Sequence, residues 1–250
     1  MGFTIPYADS AYFSLRTAVT SDIKGSMGRA TRFAIGLLLY AVALPVHAAT
    51  ITVTNTNTND SGPGSLRQAL TVAHDGDRIT FAVSGTITLT SGALVVTKNV
   101  TISGPGANQL SIVGIHFQSV FFVADVKGAT ISGLTITNGA EGIDNAGGGT
   151  LTVRNCVISG MSVDGIGNVA SLTVVNSNVS DNVIGISDIA GEFGVVTATI
   201  LSTTVSGNSA GGVVAAANPF GGRAYITITD CTISDNSTRV DGGGIGGPLP

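Results

Sequence analysis

Four stretches decide the fold: LTVRNCVIS (Leu151–Ser159), LTVVNSNVS (Leu172–Ser180), TATILSTTVS (Thr197–Ser206) and YITITDCTIS (Tyr225–Ser234). Aligned, they place apolar residues at the same points and share one irregularity. Leu151 and Val153 stand two apart, and then Cys156 and Ile158 resume after a gap of three. A shift of one residue turns every later side chain to the opposite face of a strand. A bend at Arg154-Asn155 restores Cys156 to the interior, and Asn176, Ser202 and Asp230 stand at the matching points. All are short polar residues of the kind that turns accept.

Working outward, looser copies lie around Ile102 and Ile131. Taking the second apolar residue of each first strand as a marker gives Phe81, Ile102, Ile131, Val153, Val174, Ile200 and Ile228, at intervals of 21 to 29 residues. Each unit adds a third short strand, entered in the later units through Gly142-Ile143, Gly165-Ile166, Gly185-Ile186, Gly212-Val213 and Gly244-Ile245. Three short strands per unit with turns of variable length predict a parallel β-helix of about seven coils stacked ~4.8 Å apart. An antiparallel sandwich would not require equivalent residues in every unit. The fold class is therefore all-β, a pectate-lyase-like solenoid.

Composition agrees with this reading. Charged residues are 10% of the chain and aromatics 5%; Gly numbers 35, Thr 30, Ser 23 and Asn 15. Equivalent side chains stack over one another in a solenoid, so like charges would repel along a column. Hydroxyl and amide groups can instead bond from coil to coil. Asn182, Asn208 and Asn236 share one position in three consecutive coils and predict an amide ladder. The net charge of −4 argues against a nucleic-acid partner, which needs a basic face.

The domain reading has three parts. Residues 1–48 are an N-terminal extension and signal peptide: Arg29 and Arg32 precede an uncharged run Phe33–Leu44 and a small-x-small site, Val46-His47-Ala48. Export with cleavage after Ala48 is expected, and Met27 as an alternative start gives a signal of ordinary length. The apolar run is too short for a transmembrane helix. Residues 49–78 form an N-terminal cap, in which Ser65 and Gln68 make a capping box for a helix that turns Leu66, Ala69, Leu70 and Ala73 to one face. Residues 79–250 are the β-helix, and its C-terminal end is expected to meet further coils or another chain.

The head segment carries a recognisable combination. VTNTNTNDSGPGSLRQAL, GDRITF, GTITLTSGALVVTKNVTISGPGANQLSIVG and ISGLTITNG resemble the N-terminal head of bacterial exported right-handed parallel β-helix proteins. Their heads often carry a CSLREA motif, and their repeats resemble those of polymorphic outer-membrane proteins. The resemblance covers about residues 50–245; the CSLREA string itself is absent, as is a C-terminal barrel or sorting signal. It implies the fold, export and an extracellular or outer-membrane location, and little chemistry.

No catalytic, cofactor-binding or metal-binding residue is assigned. His74-Asp75-Gly76-Asp77 reads as a helix end and an Asp-Gly turn, and His116 stands alone beside Phe117. Asp181 and Asp235 share a turn position two coils apart, roughly 10 Å by coil spacing. Cys156 and Cys231 share a position three coils apart, roughly 14 Å, beyond the reach of a disulfide. They are expected to be buried unpaired thiols acting as small hydrophobes. The basic residues Arg67, Arg78, Lys98, Lys127, Arg154, Arg223 and Arg239 do not collect on one face. The expected function is a secreted or cell-surface structural, adhesin-like segment without catalysis or cofactors. The alternative is a β-helix that binds or cleaves polysaccharide. Surface glycans or cell-surface proteins are the expected partners, met through the long turns Asp188–Phe193 and Ala215–Arg223.

Overall fold

The computed structural model describes residues 48–56, 60–124, 126–147, 149–237 and 244–246. The signal peptide and Met27 therefore lie outside the described residues, as does Arg239. Strand β1 (Thr50–Val53) and helix α1 (Leu66–Val72) come first. Seven triplets follow, each one coil. They are β2 (Arg78–Phe81), β3 (Gly85–Thr88) and β4 (Leu94–Val96); β5 (Thr101–Ser103), β6 (Leu110–Val113) and β7 (Phe121–Val123); then β8 (Gly128–Ser132), β9 (Thr135–Thr137) and β10 (Ile143–Asn145). The fourth and fifth are β11 (Thr150–Arg154), β12 (Val157–Ser159) and β13 (Asp164–Asn168), then β14 (Ser171–Val175), β15 (Asn178–Ser180) and β16 (Ile184–Ala190). The last two are β17 (Val195–Leu201), β18 (Thr204–Ser206) and β19 (Gly211–Ala217), then β20 (Arg223–Thr229), β21 (Thr232–Ser234) and β22 (Ile245–Gly246).

The first strands of the triplets, with β1 ahead of them, form the eight-stranded sheet A; the second and third strands form sheets B and C, of seven strands each. The paired strands run parallel, which makes the chain a seven-coil parallel β-helix. Its register stacks Ile51, Ile79, Ile102, Ile131, Val153, Val174, Ile200 and Ile228 in sheet A. Ile79 therefore replaces Phe81 as the first marker, and Phe81 pairs with Val53 instead. Strand β1, within the residues read as the cap, pairs with β2 and so joins sheet A. Ile112, Ile136, Ile158, Val179 and Val205 form the matching column of sheet B, all fully buried. Burying each such side chain stabilises the fold by about 1.5–3 kcal/mol.

The bend between sheets A and B has a specific backbone cause. Asn155, Asn176, Ser202 and Asp230 all take left-handed conformations, with φ of 53°, 47°, 48° and 53°. Gly133 takes the same role one coil earlier, with φ of 66°. The left-handed region costs a side chain ~1–2 kcal/mol, least for Asn and Asp, whose side chains bond locally. Behind the bend runs a hydrogen-bonded column. Ser177 Oγ accepts from the Cys156 amide at 3.2 Å, Thr203 Oγ1 from the Ser177 amide at 3.3 Å, and Cys231 Sγ from the Thr203 amide at 3.5 Å. Ser, Thr and Cys interchange here because each is a small group that can accept from the coil before and donate to a carbonyl two residues back. Both thiols are free; Cys156 is buried but Cys231 only half-buried, which corrects the expectation of two buried apolar fillers.

The outer face of sheet A stacks Thr101, Thr130, Thr152, Thr173, Thr199 and Thr227 in one unbroken column. This is the positive reason for the threonine-rich composition. The N-terminal end is closed by α1, whose Leu66, Ala69 and Leu70 are buried. Ser65 Oγ accepts from the Gln68 amide at 3.1 Å, but Gln68 Oε1 reaches one residue further than a capping box, to the Gly64 amide at 2.7 Å. Asp60 pins this cap. It takes Arg67 Nη2 at 2.6 Å and the amides of Thr90 and Ser91 at 2.9 and 3.2 Å. No helix of the described residues is long and apolar enough to cross a membrane.

Candidate functional site

Each residue weighed from sequence has a place in this frame. Asp77 accepts from the His74 amide at 2.8 Å and from the Ala49 amide at 2.7 Å. These bonds, His74 first, hold its carboxyl below the usual range, so the segment is a turn that ties β1 to the first coil. His116 meets the ring of Phe117 edge-on at 4.5 Å. Asp181 and Asp235 both sit at left-handed turn positions, with Gly207 at the same place between them. None of these joins another into a catalytic set.

The two long turns do make a structure. They are largely extended strand: β16 and β19 continue in register through Asp188–Ala215, Ile189–Ala216 and Ala190–Ala217, while β17 and β20 begin at Val195–Arg223. The extensions pack against one another as a fin projecting from coils five and six. Its tips close on hydrogen bonds from the Gly194 amide to Gly191 and from the Gly222 amide to Asn218. Phe193 covers Gly221, where a Cβ would stand 3.0 Å from its ring. Ile189, Phe193, Val195, Phe220 and Tyr225 are all large, apolar and exposed, Phe193 to 76%.

A second feature, on the outer face of sheet C, was missed from sequence. Two residues ahead of Ile143 stands Glu141, and two ahead of its stacking partner Ile166 stands Asp164. The corner glycine between them is obligatory: a Cβ on Gly165 would lie 2.5 Å from the Gly185 carbonyl oxygen. In the neighbouring outer column Phe122, Asp144, Gly167 and Ser187 stack in that order. Gly167 thus leaves a notch one side chain wide, with Asp144 on one side and Ser187 on the other. A Cβ there would stand 3.5 Å from Asp164 Oδ2 and 3.6 Å from Glu141 Oε1.

The carboxyl groups of the notch take part in no ion pair. The two ion pairs of the described residues, Arg67–Asp60 and His74–Asp77, lie elsewhere. Burial, and then the Asp144 carboxyl, pushes Glu141 up to about 7, and burial raises Asp144 as well. Ser119 Oγ bonds Glu141 Oε2 at 3.2 Å, and Ser187 Oγ bonds Asp164 Oδ2. Burial also raises Asp164, which is 7% exposed and whose Oδ1 has no hydrogen-bond partner. No group of three His, Cys, Asp or Glu among the described residues is placed to hold a metal ion.

Directly inside this face runs a second ladder that the repeat alignment also passed over. Asn145 Nδ2 donates to Asn168 Oδ1 at 2.6 Å, and Asn168 Nδ2 donates to Asp188 Oδ1. Asp188 is fully buried, its carboxyl raised by that burial, and its Oδ2 has no partner. The signal for the notch was available: the alignment of Gly142, Gly165 and Gly185 extends one residue upstream to Glu141, Asp164 and Ile184. The ladder was not, because Asp188 stands where its neighbours carry Asn.

No protein-family model matches the chain, and no curated protein sequence does either. Among solved structures, it is similar to the crystal structure of pectate lyase Pel9A, at 12% identity over 79% of this chain and 80% of that one, with a TM-score of 0.40.

Proposed function

We propose that the protein is an exported, cell-surface β-helix segment that works as a rigid, non-catalytic scaffold and makes contact through the fin of coils five and six. The observation that carries this reading is the distribution of exposed apolar side chains. Stacked hydroxyls cover much of sheets A and B; of the ten large apolar side chains exposed among the described residues, Ile189, Phe193, Val195, Phe220 and Tyr225 gather on or beside the two longest insertions, and the other five, Phe117 among them, lie elsewhere. Ordered aromatic side chains held on a firm frame are good anchors for a partner, because little freedom is lost on contact.

A carbohydrate-binding or polysaccharide-cleaving reading draws on the carboxyl notch of sheet C. A carboxyl raised by burial with further carboxyls beside it is the kind of arrangement that glycoside chemistry uses. One experiment separates the two. The purified chain is incubated with a polysaccharide panel, and its binding to cell-surface glycans and proteins is measured beside a Phe193→Ser/Phe220→Ser variant. The scaffold reading expects no release of reducing or unsaturated ends and loss of surface binding in the double variant. Turnover of any polysaccharide, or undiminished binding by the variant, overturns it.

A further inference from the structure

We infer that Asp188 is an acid-set latch at the root of the fin. In its neutral form it closes the inner ladder of sheet C and holds the fin on coil five; in its ionised form it lets the fin open while the coils stay stacked. This rests on the reading of the fin as the contact surface, and adds the condition under which that surface keeps its shape.

The place of Asp188 comes from the register. The inward column Val123, Asn145, Asn168, Asp188 and Ala215 runs through coils two to six of sheet C. Coil four closes directly after its member of that column: β13 ends at Asn168 and β14 begins at Ser171. The Asn168 side chain fastens this corner, donating to the Ala170 carbonyl at 3.1 Å and accepting from the Ala170 amide at 3.3 Å. Coil five instead runs on past Asp188 into the fin and returns at Val195. Asp188 is the last residue of β16 to pair with β13, and from Ile189 onward β16 pairs with β19 alone.

The ladder is unfinished at this point. Asn145 Nδ2 donates to Asn168 in the next coil, and Asn168 Nδ2 to Asp188 in the one after. Asp188 holds the place of a third amide, but a carboxylate can only accept, and Ala215 beyond it has no polar side-chain atom. Asp188 is fully buried and its Oδ2 has no partner. A protonated carboxyl is neutral and carries a donor, as an amide does; a carboxylate leaves a buried charge with one hydrogen bond from Asn168.

No base is paired with it. Of the strands packed on β16, β13 brings Asp164, whose Oδ2 is bonded by Ser187 Oγ. Strands β15, β17 and β19 carry no titratable group, and β20 carries Arg223 and Tyr225, both exposed, as is Glu192 further along the fin. The two ion pairs of the described residues lie at the N-terminal cap. Burial accordingly raises the Asp188 carboxyl above its ordinary 3.8, against the Asn168 bond.

The fin has little to set against a buried charge. Ala190 and Val196 are its covered apolar side chains, while Ile189, Phe193 and Val195 face solvent. A segment with so few buried contacts opens locally before the whole chain unfolds. The folded carboxyl holds its proton more tightly than the unfolded one, so the fin is firmest in acid and loosens as pH rises through the raised value.

The test is hydrogen–deuterium exchange of the full chain, read by mass spectrometry, for the parent and Asp188→Asn side by side from pH 4.5 to pH 8. The ratio of the two at each pH cancels the intrinsic rate, and the variant supplies an uncharged amide of the same shape. Peptides covering 188–196 and 215–224 exchange equally in both proteins at the acid end and at least tenfold faster in the parent at pH 8. Peptides from β8, β11 and β12 show no difference. Equal exchange at every pH, or a difference spread evenly over all coils, overturns the latch. Surface binding is measured on the same samples: binding through Phe193 and Phe220 weakens in the parent as pH rises and stays constant in Asp188→Asn. An exchange contrast without any binding by the fin leaves the latch standing and removes the contact reading. Binding by the fin without an exchange contrast removes the latch alone.

Discussion

Replacing Asn208 by Ala tests how much the amide ladder contributes to holding the coils together. Asn208 has no exposed surface. Its Nδ2 donates to Asn236 Oδ1 at 2.7 Å and to the Val179 carbonyl at 3.2 Å. Its Oδ1 accepts from the Asn182 backbone amide at 3.0 Å and from Asn182 Nδ2 at 3.1 Å. Two of the groups concerned keep a second bond: Asn182 Nδ2 still reaches the Ile158 carbonyl, and Asn236 Oδ1 still accepts from the Asn208 amide. The Asn182 backbone N–H loses its partner outright, and the Val179 carbonyl loses one of its own. A buried polar group left unmet costs about 1–3 kcal/mol, so the stranded Asn182 amide and the vacated side-chain volume give a loss of about 2–4 kcal/mol. A trapped water would reduce this by a part. Urea unfolding followed by circular dichroism reads the difference. Ser209→Ala, at the exposed neighbouring position, should stay within about 0.5 kcal/mol of the parent. A loss below about 1 kcal/mol for Asn208→Ala, at unchanged slope against urea, would refute the view that the ladder couples coils four to seven.

Other expected outcomes follow from individual groups. Asp188→Asn removes a raised carboxyl with one unpartnered oxygen from the end of an amide ladder and should raise stability at pH 7 by about 1–2 kcal/mol, read by urea unfolding; a destabilised variant would mean that the carboxylate has a role in holding the fin. Because Glu141 is raised from 4.5 to about 7 in the folded chain, that state binds more protons than the unfolded one between those values, and stability falls as pH rises through about 7. Tm should therefore drop between pH 5.5 and 8, and Glu141→Gln should flatten that part of the profile. Asp60 behaves in the opposite sense. Burial opposes its ionisation, but Arg67 and the Thr90 and Ser91 bonds outweigh it and hold it at about 2. Its contribution is complete above about pH 4 and is lost on acidification toward 2, and Asp60→Ala should cost about 3 kcal/mol at pH 7 by stranding Arg67. Thiol titration should find two free cysteines in the unfolded chain, Cys231 reacting first in the native one; a disulfide would break the register.

Much of the fold was legible because a solenoid repeats its constraints. The slip after Val153 foretold the bend at Arg154-Asn155, since the gap of three cannot be spanned by alternating strand geometry; the left-handed backbone that makes it came from the structure. The recurrence of Asn182, Asn208 and Asn236 foretold their ladder, because equivalent residues must stack. Irregular coils were harder to align. In the first coil two apolar positions compete, and pairing with β1 selects Ile79 over Phe81. The two long turns were correctly picked out as insertions, but nothing in IGISDIAGEF or VVAAANPFGG shows that each half would find a partner strand in the next coil.

By itself, then, the sequence determined the class of architecture, the number of coils, the bend residues and the separation of the two cysteines. These depend on periodicity, and a periodic chain states its own neighbours at the interval of one coil. The tertiary structure decided what happens where the repeat changes content. Glu141 and Asp164 are 23 residues apart, Asp144 and Ser187 flank a missing side chain, and none of the four is unusual alone. Only the register between sheet C strands sets them around one point, and only burial there raises their carboxyls above the usual range.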